Sequence, residues 1–323
     1  MKGWEFRKTH EPLVLVERET PKAKPGYVVL KVTGCGLCHT DVSTLEDPGW
    51  MSILGKVPCI LGHEIAGEII EVGEGVKNFK VGERVAVCPM VGNDGTGAGN
   101  GRDGGYATHT TAPEEMLIHI PDEVDTLQAA ASTDAGMTSY HAVVGRGGVK
   151  KGTKVGLIGI GGLGSVGTRI AVEQGAQVYV ASRKEAARAD ALKHGAFKAA
   201  DSILDFKDDG LEVIIDFAGS GKTTADALEA VAPGGTVVVV GMTKLESTIN
   251  TGSLILKEVN VIGSVGGSKK DIEAVLTLMK EGRLQIDVLK TTFDDVPENL
   301  ELLHQGKVTG GRMIMCTSDK DYQ

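Results

Sequence analysis

Along the first third of the chain, apolar and polar residues alternate in short runs punctuated by glycine. Residues 27–33 set Val28, Leu30 and Val32 on one face, and 65–72, 83–88 and 106–111 read the same way. Short strands of this kind predict a small, strongly bent β domain reaching to about Pro121. Beyond it the pattern changes. Residues 154–158 form a buried strand, 159–164 turn into a helix running to about Gln174, and 177–181 make a second strand. Strands at 213–217, 236–240 and 259–263, separated by helical or turn segments, complete the alternation of a doubly wound parallel sheet. Two helices follow: 271–280, with Ile272, Val275, Leu276 and Met279 on one face, and 297–305, stopped by Gly306. The fold class is α/β.

Composition narrows the function more than the fold. A length of 323 residues predicts two domains, and 41% hydrophobic residues suffice for a core in each. The net charge of -9 comes from interspersed acidic and basic residues, which argues against nucleic acid as a partner. Five cysteines with no framework spacing point to a reducing compartment. No signal-like apolar core follows Met1, and the most apolar run, 155–168, is glycine-rich and too short to span a bilayer. The expectation is a soluble cytoplasmic protein.

Chemistry concentrates in Gly34-Cys35-Gly36-Leu37-Cys38-His39-Thr40-Asp41 and in Gly62-His63-Glu64. The strand pattern sets both thiols where a strand runs out into a loop. Thiolate and imidazole are ligands that zinc prefers, and a catalytic zinc takes three protein ligands and keeps a fourth position open. The plainer reading makes Cys35 and Cys38 small buried hydrophobes and His63 a core histidine. Thr40, Asp41 and Glu64 weigh against it, because a hydroxyl and two carboxylates around candidate ligands supply acid–base and supporting groups.

The second motif is Gly159-Ile160-Gly161-Gly162-Leu163-Gly164, set between strand and helix. Gly159, Gly161 and Gly164 supply a tight turn, close approach to a pyrophosphate and a helix–strand contact, and the helix N-terminus attracts phosphate. At the end of the next strand, where a carboxylate would hold the ribose hydroxyls of NAD, stand Ser182, Arg183 and Lys184. A hydroxyl with a guanidinium suits the 2′-phosphate of NADP(H), whereas a solvated basic helix start is the plainer alternative.

These segments resemble the zinc-dependent alcohol dehydrogenases of the medium-chain dehydrogenase/reductase superfamily along the whole chain. The resemblance implies a catalytic domain with a GroES-like barrel at 1–135 and 265–323, and a Rossmann domain at 136–264. It implies one catalytic Zn2+ per subunit on Cys38, His63 and Asp134, with Glu64 beside the metal and Asp41 supporting it. Thr40 matches the hydroxyl that takes the substrate proton, and Ser43 stands where many relatives continue the relay with histidine. His39, Thr138, Gly159, Gly161, Gly162, Leu163, Gly164, Ser182, Arg183, Lys184, Gly241 and Arg312 are implied at the cofactor, NADP(H). Trp50 and Met51 are implied near the substrate.

Asp134 stands where many relatives carry cysteine. Its other reading is that Ser132, Thr133 and Asp134 cap the following helix. Residues 89–105 hold seven glycines and read as a turn-rich loop. Many relatives place a four-cysteine zinc lobe here; only Cys88 lies nearby, so no structural zinc is expected. A homodimer or homotetramer acting on a small alcohol, aldehyde or ketone is implied. Two alternatives stay open, a zinc-free reductase of activated double bonds and a nucleotide-sensing protein without turnover.

Overall fold

The computed structural model describes residues 1–52 and 56–322, without the side chains of 51 and 52, so the Met51 side chain lies outside the described residues. The chain divides into two compact units, one built from Met1–Asp134 with Ser268–Gln323 and the other from Ala135–Gly267.

In the first unit the alternating segments become a seven-stranded sheet. Its order runs Leu117–His119, Arg84–Val87, Glu64–Val72, Tyr27–Gly36, Arg312–Cys316, Val288–Thr292, with His109–Pro113 also paired to Tyr27–Gly36. Tyr27–Gly36 is therefore its central strand, with Val28, Val29, Leu30 and Val32 fully buried. The register against Glu64–Val72 slips twice, between Val29 and Leu30 and between Val32 and Gly34. Such bulges add twist and bend the sheet, which is how short strands wrap into a barrel-like domain. Val14–Glu17, Lys2–Phe6 and Cys59–Ile60 form a separate three-stranded sheet.

Two expectations shift here. The strand expected over 106–111 is His109–Pro113, and Tyr106 precedes it with its ring fully buried. The segment after the central strand is no loop: Cys38 caps the helix His39–Glu46, its sulfur accepting from the Thr40 N–H while the Asp41 side chain accepts from the Cys38 N–H. This is a capping box with cysteine in the place usually held by serine or threonine. Ser268 caps Lys269–Lys280 with Asp271 in the conventional way, and that helix buries Ile272, Val275, Leu276 and Met279 as its period predicts.

The second unit holds a six-stranded, wholly parallel sheet in the order Lys198–Ala200, Gln177–Ala181, Lys154–Ile158, Leu211–Asp216, Val231–Val239, Asn260–Gly263. Numbered along this unit the order is 3-2-1-4-5-6, that of a dinucleotide-binding sheet. The first strand leads through Gly159 into the helix Gly162–Glu173. Gly159 has φ +85°, and a Cβ on Gly164 would lie 2.1 Å from the Gly159 carbonyl oxygen. The turn thus uses one glycine for its backbone angle and another for space. No helix among the described residues is long and apolar enough to cross a membrane.

Candidate metal and cofactor site

Cys38, His63, Glu64 and Asp134 come together in the first unit with one ligand atom each, all within 4.8 Å of one another. Three elements supply them. Cys38 sits between strand and helix, His63 and Glu64 enter the strand Glu64–Val72, and Asp134 lies in the wide π-type turn Ser132–Gly136. In that turn Ser132 and Thr133 do not act as caps of the following helix. Ser132 Oγ and Thr133 Oγ1 donate back to the Ala129 and Ala130 carbonyls at 2.6 and 2.8 Å, and the following Met137–Tyr140 has no side-chain cap. Asp134 lies inside a helical run, where one widened turn displaces a side chain from its regular position.

The donor spacing suits a tetrahedral cation. Cys38 Sγ lies 3.4 Å from Asp134 Oδ2, and His63 Nε2 lies 3.9 Å from the same oxygen. Ligand atoms sharing a tetrahedral zinc at its usual bond lengths stand roughly 3.3–3.6 Å apart. Glu64 is fully buried and Cys38 nearly so, while the His63 and Asp134 side chains keep 16% and 15% exposure, so the cluster is enclosed yet reachable.

Asp41 fixes the histidine. Its Oδ1 lies 3.5 Å from His63 Nδ1 and accepts the Gly62 N–H at 3.3 Å, while its Oδ2 accepts the Tyr106 hydroxyl at 2.8 Å and the Cys38 N–H at 3.3 Å. The imidazole therefore turns Nε2 toward Asp134 and Glu64, the orientation a carboxylate gives a metal-binding histidine. Burial works against charge on His63, but Asp41, Asp134 and Cys38 outweigh it and hold its pKa well above the ordinary value. Burial above all pushes the Cys35 thiol well up, and that sulfur donates to the Gly36 carbonyl at 3.7 Å, a structural cysteine outside the cluster.

Sequence reasoning missed Tyr106 and Gly36. A Cβ on Gly36 would stand 2.0 Å from Glu64 Oε2, so the glycine makes room for the carboxylate. Arg312 enters from the neighbouring strand, 5% exposed, its Nε donating to Glu64 Oε2 at 3.0 Å and its Nη2 to Glu64 Oε1 and, at 3.0 Å, Asp134 Oδ2. Thr40 is exposed on the first turn of the helix, its Oγ1 3.6 Å from Cys38 Sγ, and His39 is exposed beside it. Trp50 is half-buried in the short helix Pro48–Ser52.

In the second unit, Gly161 caps the Gly162–Glu173 helix without a side-chain hydrogen bond, and its Cβ position faces open space. Bare helix amides beside an open glycine fit a pyrophosphate. Leu163 accepts the Ser139 hydroxyl through its carbonyl at 2.9 Å, Thr138 is buried, and a Cβ on Gly241 would meet the Gly219 nitrogen at 2.5 Å. Ser182 follows the strand Gln177–Ala181, Arg183 is exposed, and Lys184 caps the helix Glu185–Lys193. Arg188 Nη1 donates to the Ser182 carbonyl at 2.7 Å and pairs with Asp201, which ties down the loop carrying these residues.

Comparison with known proteins agrees with this architecture. Residues 24–122 match the alcohol dehydrogenase GroES-like domain, and residues 162–281 match the zinc-binding dehydrogenase family. An alcohol dehydrogenase of Geobacillus stearothermophilus is 31% identical, with 98% of each chain covered, and the (R,R)-butanediol dehydrogenase of Bacillus subtilis is 30% identical over 87% of this chain and 89% of its own. Among solved structures, acetophenone reductase from Geotrichum candidum in complex with NAD superposes with TM-score 0.90 at 30% identity, covering 98% of this chain and 96% of its own. The alcohol dehydrogenase of Aeropyrum pernix gives the same score at 25% identity, covering 98% and 100%. With both halves matched in order and relatives spanning nearly all of it, the chain belongs to the zinc-type alcohol dehydrogenases of the medium-chain dehydrogenase/reductase superfamily.

Proposed function

We propose that this alcohol dehydrogenase is zinc-dependent and NADP(H)-linked, interconverting an alcohol with its aldehyde or ketone, and that Cys38, His63 and Asp134 hold one zinc per chain. The observation that carries the reading is the spacing of thiol, imidazole and carboxylate, close to that of ligands on one tetrahedral ion. Zinc bound there would supply Lewis-acid polarisation of the substrate oxygen and lower its pKa. Asp41 keeps the His63 imidazole in the metal-facing tautomer. The Thr40 hydroxyl, beside Cys38, accepts the alcohol proton and passes it outward. Arg312 offsets the charge of Glu64 and Asp134 and remains the arginine proposed to reach the cofactor.

The pyrophosphate is assigned to Gly159, Gly161, Gly162, Leu163 and Gly164, and the 2′-phosphate to Ser182, Arg183 and Lys184; His39, Thr138 and Gly241 complete the cofactor set. The chain is further proposed to assemble with copies of itself. Support comes from Asn260–Gly263, an edge strand paired on one side only among the described residues, near the exposed apolar side chains Leu256, Val261 and Val265.

The test is elemental analysis of the purified protein together with turnover of an alcohol and carbonyl panel followed at the nicotinamide absorbance. One zinc per chain and NADPH-dependent turnover are expected. Full activity without metal would hand the site to the zinc-free reductase reading, and cofactor binding without any turnover to a nucleotide sensor.

A further inference from the structure

The first unit contains a cavity of about 570 Å3, bordered by the residues 94–103 loop and by Arg18, Lys24, Tyr27 and Lys56. Its volume falls in the range of small-molecule sites. The charges around it are unevenly satisfied. Asp94 is occupied by the Tyr27 hydroxyl, the Thr96 N–H at 2.9 Å and the Thr96 hydroxyl at 2.8 Å. Asp103 accepts from Arg18 at 2.9 Å and from the Ile60 N–H at 3.0 Å, and Arg18 also pairs with Glu5. Asp94 and Asp103 are thus engaged, and the third acid lining the cavity, Glu19, is exposed to solvent.

Arg102 is the exception. Its side chain is only 8% exposed, and its Nη1 donates to Thr96 Oγ1 at 3.0 Å with Asp94 4.0 Å away. Among the described residues its Nε and Nη2 are buried and find no hydrogen-bond partner. Buried polar atoms in folded proteins are nearly always paired, so two vacant donors on one side chain call for an acceptor. They are also a particular pair. Nε–H and the adjacent Nη2–H point the same way, forming the parallel fork that takes a carboxylate or phosphate through two hydrogen bonds.

We propose that this cavity binds a small molecule bearing a phosphate or carboxylate, seated on the Nε/Nη2 edge of Arg102 with Lys56 as a second cation. None of the residues lining it is a proposed metal ligand, and the site makes no demand on the alcohol reaction.

Calorimetric titration at constant ionic strength tests it, on full-length protein saturated with NADPH so that the cofactor's own phosphate sites are filled. Inorganic phosphate and acetate are the probes. Saturable binding of at least one is expected, with the tighter probe naming the ligand chemistry. Arg102→Lys keeps the charge but removes the fork, and should weaken binding at least about tenfold. Lys56→Gln should weaken it by a smaller factor, and both variants should retain wild-type alcohol turnover. Absence of saturable heat with either probe, or equal binding by Arg102→Lys, overturns the proposal. A crystal structure of the wild type grown in phosphate gives a check independent of any variant. An oxyanion within hydrogen-bond distance of Nε and Nη2 supports the site, and a lone water there refutes it.

Discussion

Asp134 carries the sharpest prediction, because it stands among the candidate ligands and also pairs with Arg312. The helix after its widened turn has no side-chain cap, so Asp134→Asn, which preserves shape, changes chiefly the charge offered to Arg312 and to a bound cation. Zinc content and turnover should fall in Asp134→Asn and Asp134→Ala by more than the roughly 10–100-fold seen when only a supporting partner is lost, whereas Asp134→Cys should retain zinc. An Asn variant with full metal and full activity would dismiss the assignment. Tyr106 acts one step further out. Tyr106→Phe removes the 2.8 Å donor to Asp41 in a fully buried setting, costing about 1–3 kcal/mol in denaturant unfolding and about 10–100-fold in zinc affinity. Unchanged zinc retention against a chelator would show that Asp41 orients His63 unaided. At the cofactor, Arg183→Ala should lose roughly 1.5–3 kcal/mol of NADPH binding, or one to two decades, and spare NADH. A wild type that prefers NADH would contradict the cofactor assignment.

Elements were legible in the sequence where their signals were local. The glycine turn, its flanking strands and the Lys269–Lys280 helix follow from spacing alone, because buried strands and amphipathic helices repeat over a few residues. The helix His39–Glu46 was hidden, since cysteine is an unusual cap, although Asp41 three residues on is the mark of a capping box. Tyr106 was hidden for another reason: its partner lies 65 residues away, and alternation says nothing about what a hydroxyl meets across a sheet. The widened turn at Ser132–Gly136 has no sequence period of its own. Of the site, Cys38 and His63 stand out by residue type, while Asp134 came only through family resemblance. At the outer sheet edge, Val261 is 43% exposed on a strand with an open side. Val261→Lys should move the protein toward monomer in gel filtration or ultracentrifugation, because a charge on an edge strand opposes pairing. An unchanged elution volume would mean that assembly, if any, uses another face.

The whole molecule should carry a single tightly held zinc, because the 89–105 loop has no cysteine set and its one neighbour, Cys88, is buried with its pKa raised by burial. Two tightly bound zincs per chain in elemental analysis would contradict this. The discontinuity of the first unit bears on something else, the order in which a growing chain becomes competent. Ala135–Gly267 is continuous and can close as soon as it leaves the ribosome. The central strand Tyr27–Gly36, by contrast, waits for Arg312–Cys316, its partner in the sheet and the source of the guanidinium on Glu64 and Asp134. A chain interrupted between Gly267 and Arg312 therefore has a complete second unit but a cluster of acids without its guanidinium and a sheet with a missing member. Burying carboxylates without their guanidinium is costly, so the first unit closes only after Arg312–Cys316 has been made.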